Sequence, residues 1–166
     1  MAQEKRQLGL AAMKWAIERS HSAQESGDEE SFFASVAESA WWITMLDETL
    51  WKTTDERGPY QDFRDSSPDG SLLGGLRYAR NRQVHDVEVT GMQGNPLLTR
   101  RNNEAGGGWF WRALDAPGVP IYKRQNGRWG KIQEDSYRKD LADHPILDTL
   151  GRAAHFLELW VGQYDS

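Results

Sequence analysis

Three residues of one segment have side chains that together can do acid–base and electrostatic chemistry. Arg80 and Asn81 are adjacent, and His85 follows Asn81 at a spacing of four. On a helix over residues 72–89, Asn81 and His85 share one flank, and Arg80 falls inside the apolar arc. A histidine can transfer a proton near neutral pH, an arginine can hold a phosphate, and an asparagine can orient either. These are the groups needed to cleave RNA without a metal, with the ribose 2′-hydroxyl as internal nucleophile.

A purely structural role is the alternative for the same residues. A guanidinium among core positions is costly to bury unless it is paired or borders a wet cleft. Arg80 can pair with an acid of the preceding helix, for which Glu38, Asp47 and Glu48 are candidates, and His85 can be a solvated flank residue. The residue types alone favour this structural alternative.

The helix that carries the three residues is predicted from its boundaries. A turn over residues 67–71 supplies Asp69 or Ser71 as an N-cap, and no helix breaker follows before Gly91. Leucine, alanine and valine recur on one side of the segment in between, as expected for a helix that packs on a core.

Three further long helices are predicted, over residues 4–25, 28–53 and 145–162. The first two have apolar residues on more than one side. Such a helix is either central in a bundle or pressed against another chain. In a chain of 166 residues, two helices of this kind favour a homodimer.

The remaining segments are predicted to be irregular or β. Gly-Pro, Ser-Pro and Asp-Gly pairs make residues 54–71 a predicted loop, and residues 100–108 a basic, glycine-rich loop. Residues 109–114 are a candidate short strand, and residues 121–132, with a central Asn-Gly turn, a candidate hairpin. The sequence thus predicts one mainly α domain over 1–166, with a small β-hairpin-containing insertion at about 91–143.

Charge is distributed unevenly along the chain. Lys and Arg minus Asp and Glu give 7 − 14 = −7 over residues 1–76, 12 − 6 = +6 over 77–139, and 1 − 5 = −4 over 140–166. A basic middle segment is a candidate footprint for a polyanion. The alternative is that these charges balance between neighbouring helices of the fold.

Several classes of site are not indicated. The chain has no cysteine, and its four histidines follow no metal-ligand spacing, so neither a metal nor another cofactor is expected. No glycine-rich stretch matches a nucleotide motif. The chain has no apolar run of membrane-spanning length and no signal-peptide pattern, so we expect a cytoplasmic protein without membrane association.

The Arg80-Asn81 pair, followed after three residues by His85, resembles the motif of the HEPN superfamily. In that motif an arginine, often with a polar residue directly after it, precedes a histidine at a short spacing. The resemblance implies an up-and-down bundle of four to five helices, formed here by residues 3–89 and 145–162. It also implies a dimer in which two motifs meet in one RNase cleft.

The resemblance further implies roles for individual residues. Arg80 and His85 would be catalytic and Asn81 supporting, and either Asp47 or Glu48 would be the acid of the second helix that often accompanies the motif. Some toxins of the superfamily have a modified tyrosine two residues after the histidine. Val87 occupies that position here, so the same regulation is not expected.

The sequence therefore predicts a metal-independent HEPN-like endoribonuclease of toxin–antitoxin or phage-defence type. Arginines of the basic segment would guide the RNA backbone: Arg77, Arg82, Arg100 and Arg101. The alternative is a non-catalytic HEPN-like module that binds a ligand or a partner protein such as an antitoxin.

Overall fold

A computed structural model describes residues 2–53, 57–90, 97–101, 108–119 and 128–164. Within these ranges, the side chains of residues 2–3, 53, 57, 83–90 and 164 are not described. The helices are α1 (Ala2–Ser26), α2 (Glu29–Thr53), α3 (Arg57–Ser66), α4 (Pro68–Thr90), α5 (Arg128–Ser136) and α6 (Ile146–Tyr164). Two strands, β1 (Leu98–Arg101) and β2 (Gly108–Trp111), separate α4 from α5, and a π-helical turn (Tyr137–Leu141) follows α5. The predicted mainly helical class is confirmed.

Helices α1 and α2 form an antiparallel hairpin joined by a tight turn. Gly27 has a positive φ of 73°, which glycine adopts without strain, and it ends α1. Asp28 caps α2, because its carboxylate accepts hydrogen bonds from the Ser31 backbone N–H at 3.0 Å and the Ser31 hydroxyl at 2.7 Å. These bonds lower the pKa of the Asp28 carboxyl. The predicted end of the first helix and start of the second are confirmed.

Helix α3 lies where the sequence predicted a loop over 54–71, and that prediction is wrong for Arg57–Ser66. It is also wrong for residues 68–71, because α4 begins at Pro68 and Ser67, not Asp69 or Ser71, precedes it. Pro59 is in the first turn, where its missing N–H leaves no hydrogen bond unmade. Two aromatic residues then pack α3 on α6. The ring centroids of Tyr60 and Trp160 are 5.2 Å apart, and those of Phe63 and Phe156 are 4.9 Å apart. This tertiary packing outweighs the local turn signals.

Strands β1 and β2 pair antiparallel, with Leu98 opposite Trp111 and Arg101 opposite Gly108. The predicted strand near residues 109–114 is confirmed over 109–111. By contrast, Arg100 and Arg101 belong to β1 and Gly108 to β2, so the predicted loop over 100–108 is wrong at both ends. Its remaining residues, 102–107, lie outside the described residues. Trp111 is fully buried, and its indole N–H donates to Thr149 Oγ1 of α6 at 2.6 Å.

Helix α5 replaces the second strand of the predicted hairpin. Residues 129–132 are helical, so that prediction is wrong, and residues 121–127, which would form the first strand and the turn, lie outside the described residues. Ser136, at the end of α5, donates from its hydroxyl to the Ser71 carbonyl of α4 at 2.7 Å. A bidentate Arg138–Glu134 pair supports the same turn.

One continuous core joins the long helices to the segment between α4 and α6. Five residues of that segment are buried in the same cluster as the helices: Leu97, Leu98, Trp111, Tyr137 and Leu141. The predicted insertion thus contributes to the core of the bundle. Over the described ranges, no helix has both the length and the apolar character required to cross a membrane.

The close approach of α4 to the π-helical turn gives a testable contrast between two helical glycines. A Cβ at Gly75 would lie 2.6 Å from Leu141 Cδ1 and 3.1 Å from Tyr137 Cα, whereas one at Gly151 of α6 would meet no atom within 4 Å. We expect Gly75→Ala to lower the free energy of unfolding by about 1–3 kcal/mol through overpacking. Gly151→Ala should raise it by about 0.5–1 kcal/mol. Urea unfolding measures both, and equal effects would contradict the packing described.

Candidate functional site

The carboxylate of Asp47 in α2 is fully buried and accepts from two other helices. From α3, the Tyr60 hydroxyl donates to Oδ1 at 2.7 Å, and Arg64 Nη1 lies 3.3 Å from the same oxygen. From α4, Arg77 Nη2 donates to Oδ2 at 2.7 Å. A buried carboxylate is costly unless it is paired and hydrogen-bonded. Asp47 therefore fixes α3 and α4 against α2.

Glu48, the next residue, extends the network toward the surface. Arg80 Nη2 donates to Glu48 Oε1 at 3.2 Å, and Arg77 Nη2 is 3.8 Å from the same oxygen. Lys52 Nζ lies 3.7 Å from Glu48 Oε2. Arg77 thus stands between two carboxylates and links the buried part of the network to the exposed part.

Two tryptophans of α2 cover the guanidinium groups. The Arg64 guanidinium carbon lies 5.7 Å from the Trp51 ring centroid, and that of Arg80 lies 5.4 Å from the Trp41 centroid. Both distances fall in the range of cation–π attraction. The aromatic faces shield the arginines partly from water and restrict their orientations.

The network carries more positive than negative charge. We call it the arginine cluster, and it consists of Asp47, Glu48, Lys52, Arg64, Arg77 and Arg80. Four cations and two carboxylates give 4 − 2 = +2. Within the described part of the chain, the buried Nε atoms of Arg77 and Arg80 have no hydrogen-bond partner. The net positive charge of the cluster favours the approach of an anion.

Tyr60 is a fixed hydrogen-bond donor to this cluster. Burial raises the pKa of its hydroxyl well above the ordinary value, and the neighbouring Asp47 carboxylate raises it further. The hydroxyl therefore stays protonated through the physiological range. Tyr60 positions Asp47 and is not a general base.

The structure brings together three of the residues predicted to be catalytic: Arg80, Asp47 and Glu48. The Arg80–Glu48 contact was expected both for a catalytic acid on the second helix and for a purely structural ion pair, so it does not separate the two. Asn81 is partly buried on α4. Helix α4 continues through His85, but that side chain lies outside the described residues, and its position relative to Arg80 stays a prediction.

The four arginines predicted to guide RNA do not share one surface. Arg77 belongs to the arginine cluster. Arg82 is only 1% exposed and donates to the Tyr78 hydroxyl at 3.3 Å, so the prediction that it contacts RNA does not agree with its burial. Its position one helical turn after Tyr78 directs it into the protein.

Arg100 and Arg101 lie elsewhere, on β1. Arg100 pairs with Glu29 at 3.2 Å, and Arg101 pairs with Asp143. Glu29 is at the start of α2, 19 residues from Glu48, which corresponds to about 28 Å along the helix. These two arginines are therefore remote from the arginine cluster.

Sequence reasoning missed Tyr60, Arg64, Lys52 and the cleft beside them. The cleft has a volume of about 410 Å³ and lies among α2, α3, α4 and α5. Its lining residues are Glu48, Trp51, Lys52, Arg64, Gly74, Arg77, Trp129, Ile132 and Gln133.

The spacing of Tyr60, Phe63 and Arg64 is that of a helix face and was the available signal for this site, but the flanking turn residues obscured it. The helical form of Trp129 and Ile132 had no such signal.

No group of three or more histidine and carboxylate side chains that could hold a metal occurs in the described ranges.

Comparison of the chain with models of known families, with curated proteins and with solved structures found no match. The resemblance to the HEPN superfamily therefore depends on the Arg80-Asn81-x3-His85 motif and on the helical class.

The burial of Asp47 leads to a stability prediction. Asp47→Asn keeps the shape but removes the buried charge that pairs with Arg64 and Arg77, and Arg77 keeps only its longer contact with Glu48. We expect a loss of about 3–5 kcal/mol in the free energy of unfolding, measured with urea. The matched control is Glu29→Gln, which removes an exposed partner of Arg100 and should cost about 1 kcal/mol or less. Comparable losses in the two variants would show that the buried network does not hold the bundle.

Proposed function

We propose that this chain is a metal-independent endoribonuclease of HEPN type. Arg80 holds the scissile phosphate, His85 acts as general acid and base, and Asn81 orients the phosphate or the imidazole. The proposal is supported by the placement of all three residues on α4 at the spacing of the motif.

The observation that carries the proposal is the positive excess of the arginine cluster. An RNA phosphodiester is an anion, and an arginine fork binds its oxygens at two points. Glu48 and Trp41 hold the Arg80 guanidinium in place. A phosphate that approaches Arg80 therefore meets a fixed donor rather than a mobile side chain.

The chemistry follows from these roles. A neutral His85 imidazole takes the proton of the ribose 2′-hydroxyl, and the resulting oxygen attacks the adjacent phosphorus. Arg80 stabilises the extra negative charge on the phosphoryl oxygens in the transition state. The bond to the 5′-oxygen breaks, and a protonated imidazole returns a proton to that leaving group. The products carry a 2′,3′-cyclic phosphate and a 5′-hydroxyl.

A homodimer would supply the second imidazole from the symmetry-related motif. Trp41 supports this assembly, since it is 44% exposed and lies directly against Arg80. An exposed aromatic residue next to the motif is typical of the central anchor of an interface. The same face of two copies would then enclose both motifs. The enzyme would act either as a toxin with an antitoxin partner or in phage defence.

A second candidate function is a non-catalytic interaction module. The observation that favours it is an exposed apolar stripe on α1, where Leu8 is 66% and Trp15 63% exposed. The two residues are seven positions apart and therefore lie on one face of the helix. Such a stripe is suited to a partner protein.

The nuclease proposal predicts RNA cleavage that persists in EDTA. His85→Ala should lower the rate at least about 100-fold, because a general acid–base group is lost. His155→Ala is the matched control, since it removes an exposed histidine of α6 and should leave the rate unchanged. The assay follows purified RNA by gel electrophoresis and identifies the 2′,3′-cyclic phosphate ends by mass spectrometry. Absence of cleavage, or full activity of His85→Ala, would refute the enzyme.

The assembly predicts twice the chain mass of 18.9 kDa in light scattering at micromolar concentration. Trp41→Glu should give the monomer, because it places a charge at the interface. Trp15→Glu changes an exposed tryptophan of α1 and should leave the dimer intact. A wild-type protein that is entirely monomeric would rule out the composite cleft.

A further inference from the structure

The cleft beside the arginine cluster has the size of a ligand site. Its volume of about 410 Å³ lies within the range of pockets that bind small molecules. Its walls come from α2, α3, α4 and α5, so four elements of the fold converge on it. The nuclease proposal uses Arg80 and His85, neither of which is among its lining residues.

The lining of the cleft has an excess of positive charge. Lys52, Arg64 and Arg77 face a single lining carboxylate, Glu48, which gives 3 − 1 = +2. Behind the wall, Asp47 pairs with Arg64 and Arg77, and with its charge included the excess is 3 − 2 = +1. An anionic group bound here would gain charge-assisted hydrogen bonds.

The same cleft presents large apolar side chains to solvent. Trp129 is 68% exposed and Ile132, about one turn later on α5, is 47% exposed. Trp51 of α2 is a further lining residue. A planar ring that stacked on the Trp129 indole would remove apolar surface from water. The cations and the exposed aromatic surface are complementary to a ligand that has both an anionic group and a planar ring.

The α5 wall is held in place by contacts within the protein. The Ser136 hydroxyl donates to the Ser71 carbonyl at 2.7 Å, and a Cβ at Gly74 would lie only 2.9 Å from that hydroxyl oxygen. Glycine at position 74 therefore permits the close approach of α5 to α4. A preformed wall lowers the ordering cost of binding.

We propose that this cleft binds a small anion that carries a planar ring. The anionic group, a phosphate or a carboxylate, pairs with Arg77, Arg64 and Lys52, and the ring packs on Trp129 and Ile132. The site does not depend on RNA cleavage, because it requires neither Arg80 nor His85.

Isothermal titration calorimetry of the full chain at low salt tests the site with four probes. AMP combines a ring with a phosphate, phenylacetate combines a ring with a carboxylate, adenosine lacks the charge and inorganic phosphate lacks the ring. We expect AMP or phenylacetate to bind at least about tenfold more tightly than adenosine and inorganic phosphate, because the two contacts act together. Binding of AMP alone identifies a phosphate ligand, and binding of phenylacetate alone a carboxylate ligand. Either result supports the site.

Two matched pairs of variants locate the binding. Trp129→Ala should weaken the preferred probe at least about fivefold through lost stacking. Trp15→Ala, which removes a similarly exposed tryptophan of α1, should leave the affinity unchanged. Lys52→Ala should reduce both the affinity for the probe and the dependence of that affinity on salt. Lys14→Ala removes a lysine of α1 that pairs with Glu158, and it should leave both quantities unchanged.

Failure of AMP and phenylacetate to bind, or equal losses in Trp129→Ala and Trp15→Ala, would overturn the site. Thermal unfolding of each variant shows that the fold is retained, as expected for changes at exposed positions. His85→Ala should bind the preferred probe as the wild type does. The nuclease proposal and the ligand site can therefore fail independently.

Discussion

The arginine cluster depends on the burial of the Asp47 carboxylate, which removes this charge from water. An isolated charge inside a protein is strongly unfavourable, so α2 can pack as observed only if other elements bring donors to that carboxylate. Tyr60 and Arg64 of α3 and Arg77 of α4 meet this requirement. Apolar burial drives the bundle together, while the carboxylate determines how the three helices are oriented at this end. The positions of the cations that face the cleft follow from the same constraint.

Arg77 connects the proposed catalytic motif, through Arg80, with the proposed ligand cleft. It contacts the buried Asp47 and the partly exposed Glu48, and Glu48 in turn holds Arg80 of the motif. The proposed phosphate-binding arginine and the proposed ligand cleft are thus built on neighbouring turns of one helix. A change in the packing of α3 would reach both regions through Asp47, although they serve separate proposals.

Local patterns predicted the four long helices, because their apolar periodicity lies within continuous segments, although the start of α4 is four residues earlier than predicted. They failed for α3, where Gly58-Pro59 indicated a turn and the stabilising partners, Phe156 and Trp160, are about a hundred residues away. They also failed for α5, because its contact with Ser71 joins residues that are 65 positions apart in sequence. Arg80 was predicted to meet an acid of the second helix, and Glu48 is that acid. The helical spacing of Tyr60 and Arg64 could place them on one face of a helix but not around Asp47, since a donor set around a buried charge is defined only by tertiary contacts.

The choice of arginine at most of the cationic positions has a consequence for control of the cleft. Guanidinium groups keep their charge throughout the range of cellular pH, and the Tyr60 hydroxyl keeps its proton. The attraction between this surface and an anion is instead weakened by dissolved ions, which screen charges over distances of about 8–10 Å under ordinary conditions. Occupancy of the cleft should therefore respond to the ionic strength of the surroundings, and its dependence on pH should come from the anionic group of the ligand.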